Sequence, residues 1–167
     1  VKNQQERVSC FYTIDQLKPD SKIRELDLSG YQNSRPVQIG NGAADQFQLD
    51  AEANILISCS LIYEKFGKRM HWETVSEIAE FICKSWEEKD NGIWEEEQRQ
   101  HYTSSKAFAA RGLELLAPYQ TDQGRAERWL KNAAMIRQFI KDHCMTSSGA
   151  YAVHAGSEDV DITSALF

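Results

Sequence analysis

The sequence predicts an all-α fold, an antiparallel array of helices behind an irregular N-terminal segment. Three observations carry this reading. From position 44 onward apolar residues recur at three- and four-residue steps, little strand pattern follows that point, and loops separate the periodic runs.

Residues 1–46 lack helical periodicity and are rich in breakers: Lys18-Pro19-Asp20, Ser29-Gly30-Tyr31, Arg35-Pro36 and Gly40-Asn41-Gly42. Extended or looped chain is expected there, with short strands around Val8–Ile14 and Glu25–Leu28. A first helix is expected from about Ala44 to Phe66, with Phe47, Ala51, Ile55, Cys59, Ile62 and Phe66 in phase and Gly67 as its left-handed cap. Trp72, Val75, Ala79, Ile82 and Trp86 mark a second helix, with Thr74 or Ser76 near its start. A third follows a cap at Ser104 or Ser105, runs through Phe108, Leu113 and Leu116, and is closed by Pro118. The fourth spans about Gln123 to His143 and buries Trp129, Leu130, Ala133, Ile136, Phe139 and Ile140. After Cys144 a loop is expected, with a further element beginning near Asp161.

The chain of 167 residues has the length of one domain, and its 41% hydrophobic and 26% charged residues are ordinary for a globular protein. A formal charge of −6 disfavours a nucleic-acid partner, whose phosphates require a basic stripe. The four cysteines form no CxxC or Cys/His cluster, so no metal site and no cofactor is expected, and free thiols in a reducing, cytoplasmic setting are the expectation. No apolar run of about 18 residues appears, so no membrane partner is expected. A first residue of Val points to a processed chain or an excised piece.

The loop between the second and third helices, Lys89 to Thr103, carries the chemistry. Trp86 and Trp94 bracket Asp90-Asn91-Gly92-Ile93, Glu95-Glu96-Glu97 follow, and then come Arg99, His101 and Lys106. A flat aromatic ring packs against the apolar face of a sugar, and a partly desolvated carboxyl keeps its proton near neutral pH. Trp94 beside Glu95, with Glu96 and Glu97 adding like charge, is therefore read as raising the Glu95 pKa. The plain alternative is a solvated acidic turn.

Two blocks resemble the glucoamylase-like enzymes of glycoside hydrolase family 15. The first runs from Leu26 to Asp50 and contains Gly30-Tyr31, Pro36-Val37, Gly40-Asn41 and Gln48-Leu49-Asp50; the second is Asp90-Asn91-Gly92-Ile93-Trp94-Glu95 with the Arg99-to-Lys106 stretch. The resemblance implies an (α/α) barrel of six helical hairpins, of which this chain is a part, forming one incomplete domain over 1–167. It implies glycosidic hydrolysis with inversion, Glu95 as general acid, and Arg35, Asn41, Trp94, His101 and Lys106 as residues binding an α-glucoside or oligosaccharide. Residue by residue, Asn41 also reads as a turn-former tolerating positive φ, Trp94 as a loop anchor, and His101 and Lys106 as the solvent face of a helix start. An inserted Gln100 disturbs the match at His101.

An inverting hydrolase needs a base as well as an acid, with the carboxyls ~6.5–9.5 Å apart. In the family the base lies further along the barrel, and none is identified here. The expectation is a piece of a larger hydrolase, inactive alone, with exposed apolar faces through which it self-associates. The competing readings are a non-catalytic sugar-binding or regulatory module on the same scaffold, and a helical interaction scaffold. Trehalose, starch-type and dextran-type glucosides all remain open as substrates.

Overall fold

The computed structural model describes residues 8–15, 17 and 21–163. They fall into two compact units, 8–47 and 48–163.

In the first unit, β1 (Arg24–Leu26) pairs antiparallel with β2 (Val37–Ile39), in the register Arg24↔Ile39 and Leu26↔Val37. The sequence located β1 to within one residue at its start and two at its end and missed β2, and no strand forms across the described residues 8–14. The turn expected at Lys18-Pro19-Asp20 lies outside the described residues. Further along, the Asn41 side-chain oxygen accepts the Ala43 N–H at 2.9 Å and caps a 3-10 turn, Gly42–Asp45. Gln46 then leaves in an extended conformation (φ −72°, ψ 151°). This separate turn is why the helix expected from Ala44 begins only at Leu49.

The second unit is helical: α1 (Leu49–Phe66), α2 (Trp72–Ser85), α3 (Thr103–Leu116) and α4 (Gln123–His143). α1 ends as predicted, with Gly67 in the left-handed region at φ 65° and its N–H returned to Tyr63 O. Asp122 caps α4 by accepting the Arg125 N–H at 3.0 Å. Thr74 and Ser76 do lie near the start of α2, but neither they nor the serines expected to cap α3 serve as caps. α2 starts after His71 with no side-chain cap, and Ser76 lies inside it with its hydroxyl turned back to Glu73 O. Ser104 and Ser105 lie inside the first turn of α3 and are buried. The start of α3 is held instead by the segment after α4, since the Thr103 N–H donates to Val153 O at 3.1 Å and its hydroxyl donates to Ala152 O. That segment is a set of loops pinned by isolated bridges, Met145↔Tyr151 and Ala152↔Val160 among them, and no regular element begins at Asp161 within the described residues.

The core is an α1–α3–α4 stack with α2 against α1 and α4. α1 contributes Leu49, Ala53, Leu56 and Tyr63, α3 contributes Leu113 and Leu116, and α4 contributes Trp129, Ala133, Ile136 and Ile140. The α4 spacing of four, three and four is the predicted stripe, but Leu130 falls outside it and is exposed. At the α2–α4 seam Glu80 accepts from Arg125 (3.0 Å), Arg128 (2.7 and 2.8 Å) and the Trp129 indole N–H (2.9 Å). Burial pushes the Glu80 carboxyl up, yet these donors outweigh it and its pKa is lowered on balance.

α1 and α3 approach closely at Gly112, where an added Cβ would lie 3.1 Å from both Ala53 O and Leu56 Cβ. Gly112→Val is therefore expected to destabilise the protein by about 1–3 kcal/mol through overpacking. Chemical denaturation measures it, and an unchanged midpoint would show that the interface has slack.

Candidate functional site

The loop between α2 and α3 is closed at its base by reciprocal backbone hydrogen bonds between Asp90 and Gln100, 3.0 and 2.9 Å long. Within it, the Asn91 side-chain amide donates to Glu96 O at 2.8 Å. The Glu96 N–H donates to Asn91 O at 2.9 Å, and the Glu95 N–H to Gly92 O at 3.1 Å. Gly92 takes φ 67°, and a Cβ there would meet the Tyr102 ring at 2.8 Å, so only glycine fits. This tight turn sets Glu95 itself at φ 58°, a left-handed conformation uncommon for a residue with a side chain. Backbone in such a region persists only where the surroundings over-determine it.

The turn presents Glu95 outward. Glu95, Glu96 and Glu97 are all exposed, and Trp94 is 71% exposed. The enclosed, low-dielectric setting that the sequence reading gave to Glu95 is therefore not formed by these residues. Trp94 is anchored at one edge, its indole N–H donating to the Thr163 hydroxyl at 3.0 Å, while most of its ring stays open. Thr163 is in turn fixed by its N–H to Asp161 Oδ1 at 2.8 Å. The structure thus combines the two roles weighed for Trp94: an anchor, and an accessible aromatic face.

Lys106 is not on a solvent face. It is fully buried, and its ammonium donates to the carbonyl of Trp86, the C-cap of α2 (2.5 Å), and to that of Glu88 just beyond it (2.8 Å). Burial pushes its pKa down to about 8, against the opposing pull of Asp90, Cys144 and Glu88. A side chain sealed in this way does not offer a sugar a hydrogen bond. His101 is half-buried, with its ring 5.2 Å from that of Phe139 in edge contact. Burial lowers its pKa, helped by the charges of Lys106, Lys89 and His143.

Arg35 and Asn41 belong to the other unit. Arg35 lines a cleft of about 290 Å³ with Leu26, Leu28 and Val37 and makes a long, exposed ion pair with Asp27 at 3.7 Å. Asn41 has φ −151°, so it is extended, and the positive φ expected of it falls on Gly40 at 94°.

In the sequence, Asp50 and Asp90 have no role beyond membership of the two motif blocks, and Ser105 only that of a helix cap. Asp90 is fully buried, and its Oδ2 accepts the N–H groups of Leu49 (3.2 Å) and Gly92 (3.3 Å). Burial raises its pKa, against the pull of Ser105, Lys106 and those two amides. Asp50 is 4% exposed, and burial together with the Asp90 charge pushes its pKa up to about 6. Neither carboxyl reaches solvent, so the raised pKa values are structural and do not mark an acid open to substrate. The helical phase of Lys106 with Ala110, Leu113 and Ala117 was a legible sign of its burial. Burial also raises Cys59 and Cys144 and pushes Cys83 up to about 12, so these free thiols are not poised as thiolate nucleophiles. Among the described residues no group of three His, Cys, Asp or Glu is placed to hold a metal, and no helix is long and apolar enough to cross a membrane.

The fold is one found in glycosidases. Two solved structures of glycosidase variants each match 77% of this chain and 37% of their own length, with a TM-score of 0.63 at 18% identity. The family model for the glycosyl hydrolases family 15 matches residues 1–167, and the chain belongs to that family. Trehalase 1 of Sulfolobus acidocaldarius is 32% identical over 155 residues, covering 90% of this chain and 26% of its own. A trehalase of Mycobacterium tuberculosis is 36% identical over 141 residues, covering 80% of this chain and 21% of its own. The chain thus spans about a quarter of the length of the curated relatives it matches.

Asp50 gives a pH prediction. Burial pushes its pKa from the ordinary 3.8 up to about 6, so the neutral form is favoured by folding. The associated stability is fully present below pH ~4 and is lost as pH rises through about 6. Asp50→Asn should therefore stabilise the protein by about 1–3 kcal/mol at pH 7.5 and by little at pH 4. Thermal melts at the two values decide it; equal shifts at both would contradict the burial argument.

Proposed function

We propose that the protein is an inverting, exo-acting α-glucoside hydrolase of the trehalase type, in which Glu95 protonates the departing glycosidic oxygen. One observation carries the reading: within a chain of this family, Glu95 sits beside an open tryptophan face at the tip of a backbone-locked turn. A general acid must keep one position while charge develops on the leaving oxygen, and the turn supplies that rigidity. The trehalase names of the relatives favour trehalose over maltose-type and dextran-type substrates.

The role of the second carboxylate, which activates water from the opposite face of the sugar, is assigned to a residue outside these 167. Asp50 and Asp90 are sealed from substrate and are not candidates. The enclosure that would desolvate Glu95 is likewise assigned to other parts of the protein. Exposed apolar residues along α1, Leu61 and Phe66 among them, offer packing for such parts, or for a second copy when the chain is isolated. Sedimentation of the isolated chain is expected to show association; a clean monomer would count against this surface.

The direct test is Glu95→Gln in the complete protein, assayed for glucose release from trehalose, maltose and isomaltose. The expected loss in kcat is about 10²–10⁴-fold. Unchanged rates on all three would remove Glu95 from the mechanism, and sugar binding without turnover by the unaltered protein would favour a non-catalytic module. The isolated chain is expected to release no glucose.

A further inference from the structure

Beneath the Glu95 turn lie three polar atoms with no hydrogen-bond partner: Asp50 Oδ1, Asp90 Oδ1 and Ser105 Oγ. Their residues are 4%, 0% and 0% exposed, and they come from three elements: the first turn of α1, the loop and the first turn of α3. An orphaned buried polar atom carries the uncompensated cost of leaving water, so three together require an explanation. The Ser105 hydroxyl stabilises the ionised form of both carboxyls without making a hydrogen bond of full geometry to either, while Asp50 and Asp90 repel one another.

Charge counting points the same way. Two carboxylates and the Lys106 ammonium leave one unbalanced negative charge among buried side chains, an arrangement that is strongly unfavourable. One added proton makes the group neutral, and a protonated carboxyl becomes a donor. It can then satisfy an oxygen of its neighbour or the Ser105 hydroxyl, which resolves the orphaned atoms and the charge together.

We propose that Asp50, Asp90 and Ser105, balanced by Lys106, form a proton-sharing group that positions the Glu95 turn, holding it in place when protonated and loosening it when the proton leaves. The mechanical link is Asp90 Oδ2, which grips the first amide of α1 at Leu49 and the first amide of the turn at Gly92. Lys106 ties the same group to the end of α2 through Trp86 O and Glu88 O. The other charges that face it are Glu88 and the Cys144 thiol toward Lys106, the Tyr102 hydroxyl toward Asp90, and His101 toward Lys106. Glu96 acts on Tyr102 from the turn itself. None of these four residues touches substrate; they are positioning residues, and their bearing on catalysis rests on the assignment of Glu95 above.

The test follows amide hydrogen exchange at Gly92 and Leu49 in the complete protein between pH 5 and 7.5, corrected for intrinsic exchange. In the unaltered protein protection should fall about tenfold as pH passes about 6, the value to which Asp50 is pushed. Asp50→Asn, which keeps the shape of the neutral acid, should abolish that fall. In the same variant the kcat–pH profile should extend at least one unit further toward alkaline pH with KM unchanged. Ser105→Ala, a smaller change, should lower protection at pH 5 toward the level at pH 7.5. Glu95→Gln should keep the full pH dependence of exchange while losing turnover.

Pairing the two readouts separates the claims. If Glu95→Gln leaves turnover intact, the acid assignment fails and the exchange data still judge the proton-sharing group. Protection that falls identically in Asp50→Asn and the unaltered protein, or that does not change with pH in the unaltered protein, overturns the proposal.

Discussion

The contact on which the rest of the helical unit depends is the buried ammonium of Lys106 on the carbonyls of Trp86 and Glu88. A lysine out of water is unfavourable unless something takes its charge and all its donors. Here the end of α2 supplies carbonyls with a negative dipole, and Asp90 supplies a carboxylate. Once that charge is buried, the chain has few choices. α2 must stop at Ser85, the loop must begin with a buried acid, and α3 must place its first turn against both.

From this pin the geometry of the loop follows. Asp90 is attracted by the Lys106 charge on one side and grips Gly92 on the other, Gly92 turns at φ 67° against the Tyr102 ring, and the turn closes at Glu96. Glu95 then takes its left-handed conformation because its neighbours leave no other. The motif Asp-x-Gly-x-Trp-Glu is thus a structural sentence: an acid to grip, a glycine to turn, a tryptophan to anchor at Thr163, and a carboxylate to present. Rigidity here arises from polar groups, where most of the fold relies on apolar packing along α1, α3 and α4.

The parts legible in the sequence were those set by periodicity or by a single special residue. The α4 stripe, the Gly67 cap and the close of α3 before Pro118 follow from local chemistry alone. What was not legible depended on distant partners. Ser104 and Ser105 look like caps, but Ala152 and Val153 hold the start of α3, so the serines are free to enter the helix. Lys106 looks like a surface lysine until its phase with Leu113 is weighed. The partner strand Val37–Ile39 was hidden because three residues beside a proline and a glycine carry too little pattern. At the site, Glu95 and Trp94 were visible as chemistry, whereas the acids beneath them appeared only as letters within a motif, because burial is a property of the fold.

The exposure of Glu95 sets the boundary between what this stretch supplies and what it receives. In the proposed reading it supplies a rigid acid and an aromatic face, while an apolar enclosure and a partner carboxylate are assigned to other parts of the protein. The measurement that most directly tests this division is a crystal structure of the complete protein with a non-hydrolysable disaccharide. With the sugar bound, the Glu95 carboxyl is expected ~2.6–3.2 Å from the glycosidic oxygen, with the Asp90–Gly92 hydrogen bond intact. A sugar bound elsewhere, with Glu95 still facing open solvent, would contradict it.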